Sequence, residues 1–259
     1  MTEPAAPPPA LPAEPKSLAG RRALVTGAGV RVGRALALAC ANAGADVAVH
    51  YRSSRGPAEE TAAAIRRLGR RAPLVQGDQT ADGGPERIVE FATGALGGLD
   101  LLVLSAAGFE RVPSSELDRA RFEAMLASNL TGPFLLARAA YPHLKAARGC
   151  IVTIVDVCGT SQVWPGYAHY TAAKAGLAAL TRLLAVEWAP EIRVNGVAPG
   201  FVLPPESTTP EEKARRNRRI PLGREGAAED VAQAALYLAA APYVTGQIVA
   251  VDGGRSVNP

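Results

Sequence analysis

From Arg22 onward, short apolar runs alternate with longer stretches in which apolar residues recur at helical spacing. The runs Ala23–Thr26, Asp46–Tyr51, Ala72–Gln76, Leu99–Leu104, Cys150–Val155, Arg193–Val197 and Gln247–Val251 read as buried strands. They are nearly continuous in Val, Leu and Ala, as expected where both faces of a parallel sheet are covered. Between them, Val32–Ala43, Pro57–Leu68, Pro85–Leu96, Tyr167–Trp188, Glu211–Arg218 and Asp230–Ala240 read as helices. A long helix around Leu117–Leu144 is interrupted near Gly132-Pro133, where proline removes a backbone donor. The alternation predicts right-handed βαβ crossovers and an α/β fold: one doubly wound parallel sheet of seven strands.

Two stretches break the pattern. Residues 1–15 hold six prolines among Ala and Glu, so 1–18 are expected to be a disordered tail ahead of a single domain at 19–259. Gly200–Pro210, rich in Pro and Thr, follows the sixth strand and is expected to form a lid near 200–220 over a site at the strand C-termini. The basic run Lys213–Arg219 reads as a solvated helix face before it reads as a docking site for an acid.

Composition narrows the class. Among 259 residues 48% are hydrophobic and 20% charged, which fits a globular domain and not a coiled coil or a disordered chain. No apolar run approaches the roughly 18 residues that cross a bilayer, so no membrane partner is expected. The net charge of +4 comes from a chain with only four lysines, a bias toward Arg that is no nucleic-acid footprint. Three cysteines, Cys40, Cys150 and Cys158, form no CxxC pair and no metal cluster with histidine. They read as small buried hydrophobes of a cytoplasmic protein.

The candidate chemistry starts at the first strand, which runs into Thr26-Gly27-Ala28-Gly29-Val30-Arg31-Val32-Gly33 and then a helix. In that context Gly27 and Gly33 let backbone amides approach a pyrophosphate. The second strand ends His50-Tyr51-Arg52-Ser53-Ser54, without the acid that would hold the ribose hydroxyls of NAD. Arg52 and Ser53, with Arg31 as a second cation on the same side, point instead to the 2′-phosphate of NADP(H). Asp78 closes the third strand as a partner for the adenine amine.

Tyr170 and Lys174 stand four apart in Tyr-Thr-Ala-Ala-Lys, so they share one helix face. An ammonium near a phenol is expected to lower its pKa and make it a usable proton donor.

With these residues, Asp78, Asn129 in Ser-Asn-Leu-Thr-Gly, Asn195-Gly-Val-Ala-Pro-Gly200 and Val251-Asp-Gly-Gly254, the chain resembles the short-chain dehydrogenase/reductase family from about Gly20 to Gly254. The resemblance implies that Tyr170 is the general acid/base, that Lys174 orients the nicotinamide ribose, and that Asn129 holds a proton-relay water. It implies a cofactor set of Gly27, Arg31, Val32, Gly33, Tyr51, Arg52, Ser53, Asp78, Ala106, Tyr170, Lys174, Pro199 and Gly200. A homotetramer or homodimer, built through the two long helices, follows from it too.

Arg31 at the second turn glycine and Asp156 at the family's serine position look like the pteridine reductase branch. By that likeness Phe109 covers a pterin ring, and the substrate set is Phe109, Asp156 and Tyr170. Asp156 is 14 residues before Tyr170 where the family has 13, so Val157 or Cys158 are alternatives for its place. Where the family has Asn-Asn-Ala-Gly after the fourth strand, this chain has Leu104-Ser105-Ala106-Ala107. The expected activity is hydride transfer from NADPH to a C=N or C=O carbon, a pterin-like heterocycle first. The alternatives are a ketone or 3-oxoacyl thioester, or an NADP(H)-binding sensor without turnover.

Overall fold

The computed structural model describes residues 18–203 and 208–258. The expected tail therefore lies outside the described residues, except for Leu18. That residue is buried at 5% exposure in the core.

Seven strands, β1 (Arg22–Val25), β2 (Asp46–Tyr51), β3 (Leu74–Gln76), β4 (Leu101–Leu104), β5 (Cys150–Ile154), β6 (Arg193–Pro199) and β7 (Ile248–Val251), form one sheet in the order β3-β2-β1-β4-β5-β6-β7. Every pairing is parallel. The order reverses between β1 and β4, which opens a crevice at the strand C-termini where such sheets bind ligands.

Alternate residues of each strand feed different cores. Val25, Val47, Val49, Leu101, Val103 and Val152 pack under α1 (Arg31–Asn42), α2 (Arg55–Arg67) and α8 (Ala228–Ala240). Leu24, Ala48, Leu102, Leu104, Ile151 and Val194 pack under α3 (Gly84–Leu96), α5 (Gly132–Ala147) and α6 (Ala168–Glu187). Continuous apolar strands are thus required by burial on both faces.

The interruption expected at Gly132-Pro133 is a π-helical turn, Ala127–Thr131, between α4 (Arg119–Leu126) and α5. Pro133 donates no hydrogen bond and its ring crowds the carbonyl of Asn129, four residues back. The widened turn carries Asn129, consistent with the frequent use of such bulges at functional sites. The short helix α7 (Pro210–Asn217) is started by a capping box in which Thr209 Oγ1 accepts from Glu212 N–H.

Candidate active site

The turn after β1 is built by close approach. A β-carbon on Gly33 would lie 2.1 Å from the Gly27 carbonyl oxygen, so the turn closes onto α1 only with glycine there. Arg31 holds φ +50°, the left-handed region where the family's glycine is free and an arginine is strained. Helix α1 begins at Val30 with no side-chain cap. Its first amides are left for an anion, which fits the pyrophosphate of a dinucleotide.

Sequence reading passed over His50, which fixes this turn from below. Its Nδ1 accepts from Gly27 N–H at 3.2 Å and its Nε2 donates to Gly77 O at 3.1 Å. Burial lowers its pKa to about 4, so it is neutral and bridges β1 to β3 as a fixed tautomer. The one signal in the sequence was a polar residue in the otherwise buried run of β2. Thr26 does what the family's missing asparagines would do: its Oγ1 accepts from Ser105 N–H at 2.9 Å and Ala106 N–H at 3.0 Å, tying β1 to the segment after β4.

At the end of β2, Arg52 is exposed and its guanidinium lies 3.8 Å from Asp78 Oδ2. Asp78 Oδ1 accepts from the Thr80 amide and hydroxyl, and these bonds hold its carboxyl below the usual carboxylate range. Ser53 is also exposed, beside a buried Tyr51. Arg31 does not join Arg52 as the second cation. Its guanidinium donates instead to the Leu203 carbonyl, in the segment after β6. Pro199 ends β6 and that segment starts at Gly200, which packs on Asp252. Positions 204–207 of the expected lid lie outside the described residues.

The acid–base group assembles across β5 and α6. Of the three candidates for the family's serine place, Asp156 meets the tyrosine: its Oδ2 accepts from Tyr170 Oη at 3.0 Å, and its Oδ1 accepts from Cys158 N–H at 2.9 Å. Val157 and Cys158 are buried, and burial pushes the Cys158 thiol up, so it is no nucleophile. Gly159 permits the arrangement, since a β-carbon there would stand 2.6 Å from the Lys174 carbonyl carbon.

Lys174 is buried, and its Nζ donates to Ile154 O at 2.7 Å and lies 5.7 Å from the centre of the Tyr170 ring. Burial lowers its pKa to about 8. The expected depression of the Tyr170 pKa is overturned. Burial first, and the Asp156 carboxylate second, hold it well above the ordinary phenol value, since desolvation disfavours the phenolate. Asp156 is itself shifted upward by burial.

Asn129 is also buried. Its amide donates to Gly108 O at 3.1 Å and to Met125 O at 3.2 Å, while its Oδ1 has no partner among the described residues. A buried acceptor left open in this way fits a bound water.

Half-exposed Phe109 stacks on Tyr167, centroids 4.9 Å apart, and meets Tyr170 edge-on at the same distance. Trp164 packs against Tyr167, and Phe201 stacks on Trp164 with 5.8 Å between centroids and 10° between planes. Of this wall of rings, the sequence marks Phe109 and Tyr170 for the site, but not Tyr167, Trp164 or Phe201.

A family model described as enoyl-(acyl carrier protein) reductase matches residues 27–256. The chain is 36% identical over 251 residues to 3β-hydroxysteroid dehydrogenase 1 of Eggerthella lenta, covering 93% of this chain and 96% of that one. The chain belongs to the short-chain dehydrogenase/reductase family. As in that family, its fold binds a nicotinamide cofactor and its class is oxidoreductase. It is also 34% identical over 253 residues to the glucose 1-dehydrogenase of Gluconobacter oxydans, covering 92% and 93% of the two chains. Among solved structures, a 7α-hydroxysteroid dehydrogenase complexed with NADH and 7-oxo glycochenodeoxycholic acid superposes with a TM-score of 0.90 at 31% identity, covering 96% and 99%. These relatives are named for hydroxyl and carbonyl substrates. The likeness to the pteridine reductase branch gains nothing from them. Among the described residues no helix is long and apolar enough to cross a membrane.

Proposed function

We propose that this protein is an NADP(H)-dependent oxidoreductase acting at the carbonyl or hydroxyl carbon of a ring substrate. The observation that carries the reading is the Tyr170 hydroxyl, held 3.0 Å from the buried Asp156 carboxyl with Lys174 one helical turn away, beside an uncapped helix start at the crevice of a doubly wound sheet. When bound, the nicotinamide supplies or accepts the hydride.

The chain's own residues handle the proton. Tyr170, kept protonated by burial and Asp156, donates its Oη proton to the substrate oxygen in the reductive direction, where negative charge develops. Lys174 places a positive charge behind the ring and offers protons to ribose hydroxyls. Asn129 Oδ1 holds the water through which Tyr170 recovers its proton. Phe109 and Tyr167 exclude solvent and stack on a flat or alicyclic ring. Arg52 and Ser53 receive the 2′-phosphate, whereas Arg31 ties the glycine turn to the segment after β6.

The steroid and sugar names of the relatives support reading a ring ketone ahead of the pterin expected from the motifs. The pterin stays as a second reading for one reason: a carboxyl against the tyrosine can relay the single proton that a ring nitrogen takes up when hydride adds to the carbon of a C=N bond. The test is NADPH oxidation with cyclic ketones, oxosteroids, 3-oxoacyl thioesters and dihydrobiopterin, for the parent and for Tyr170→Phe. Turnover of a ketone that falls about 10²-fold or more in the variant supports the proposal. NADPH binding with no turnover of any of these compounds would indicate a sensor.

A further inference from the structure

The wall of rings ends in arginines that the chemistry above does not use. The Arg255 guanidinium carbon lies 4.0 Å above the Phe201 ring, and that of Arg216, from α7, lies 5.1 Å from the same ring. Arg219, just past α7, adds a third positive charge felt at Arg255. Among the described residues none of the three is in an ion pair, whereas Lys213 of the same basic run is taken by Glu225 at 3.2 Å. The nearby Asp252 spends its carboxylate on the amides of Gly254 at 3.0 Å and Ser256 at 2.6 Å.

Two donors beside Phe201 are buried and open. Arg255 Nη1 and Trp164 Nε1 have no hydrogen-bond partner among the described residues. A buried donor without an acceptor is costly, and like charges gathered without an ion-pair partner are costly again. Burial and the neighbouring arginines push the Arg255 guanidinium below its ordinary pKa, against the opposing charge of Asp252. Phe201 also stacks on Trp164, so the cluster is continuous with the rings that reach Tyr170.

Resting on the proposed ring-ketone chemistry, we infer that Arg216 and Arg255 over Phe201, with Arg219 nearby, form an anion site that receives a carboxylate carried by the substrate. The ring stacks on the aromatic wall, the carbonyl meets Tyr170, and the acidic tail is held at the guanidinium cluster. Guanidinium forks suit a carboxylate, and the flat face of Phe201 keeps two of them spread and partly dry. An elongated keto acid is therefore preferred over its neutral ester.

The test compares 3-oxo-5β-cholanoate with its methyl ester on the cofactor-loaded enzyme, by equilibrium binding through Trp164 fluorescence and by NADPH oxidation. The parent is expected to bind the acid about tenfold or more tightly than the ester. Arg255→Gln is expected to remove that preference while leaving the affinity for the ester and for NADPH unchanged. Arg216→Gln with Arg219→Gln, at positions less buried than Arg255, is expected to do the same should Arg255→Gln fold poorly. Equal binding of acid and ester by the parent overturns the inference, as does a preference that survives both variants, or a loss of NADPH affinity in their place. An arginine-dependent preference in binding without turnover supports the anion site while defeating the hydride-transfer reading for this ketone. Turnover of both compounds at equal KM does the reverse.

Discussion

Tyr170, Asp156 and Lys174 are each shifted by burial, and the sign of each shift has a consequence. In alcohol oxidation the phenol has to lose its proton, and the Asp156 carboxylate beside it resists that loss. Asp156→Asn removes the negative charge and keeps the shape. The rising limb of the pH profile for alcohol oxidation is therefore expected to move to lower pH in this variant; an unmoved limb would show that Asp156 does not set the Tyr170 pKa. Lys174 works in the other direction. Its folded pKa of about 8 is below its unfolded value, so between the two the unfolded chain binds more protons and stability rises with pH. The cost of burying the ammonium is complete below about pH 8 and disappears on the way to the unfolded pKa. Lys174→Met is accordingly expected to raise stability at pH 7 by about 1 kcal/mol, net of the lost bond to Ile154 O, and the gain should shrink above pH 8 while turnover is abolished at every pH. Denaturant melts at pH 7 and pH 9.5 measure it.

Helix α1 and the turn before it are the element on which the proposed cofactor binding depends. At Gly33 the atom a β-carbon would meet is a backbone carbonyl, which cannot swing aside. Gly33→Ala is expected to cost about 2–3 kcal/mol and to abolish cofactor binding together, as read by thermal melts with and without NADPH. This element was legible in the sequence because glycine spacing, strand and helix stand side by side along the chain. The same holds for Tyr170 and Lys174, four residues apart on α6, and for the break at Pro133. What the sequence hid was made by contacts between distant segments. Trp164 and Phe201 stack although they belong to the segments after β5 and β6, and Arg255 joins them from beyond β7. Periodicity carries no information about which loops meet. The direction of the Tyr170 shift was hidden for a related reason: helical spacing places the ammonium but does not give the depth of burial, and burial outweighs the charge.

Across the whole molecule, the cofactor's two ends are expected on opposite sides of the strand-order reversal, the phosphate of the adenosine half near β2 and the reacting carbon near β5 and α6. Arg52 is well placed to report on this separation. Its side chain is 67% exposed and its link to Asp78, at 3.8 Å, is a surface pair of little energetic weight, so removing the side chain should leave the ligand-free protein within about 0.5 kcal/mol of the parent. A ligand present at about a hundredfold excess over its Kd stabilises the folded state by about 2.7 kcal/mol. If the Arg52 fork holds the 2′-phosphate, Arg52→Ala raises the Kd for NADPH by about ten- to a hundredfold and removes half or more of that stabilisation at the same concentration. NADH has no such phosphate, and its smaller stabilisation should be the same in parent and variant. The measurement is a set of thermal melts across concentrations of both cofactors. Equal losses for the two would mean that Arg52 serves the turn and not the phosphate, and would return the choice of cofactor to NADH, the one bound in the 7α-hydroxysteroid dehydrogenase.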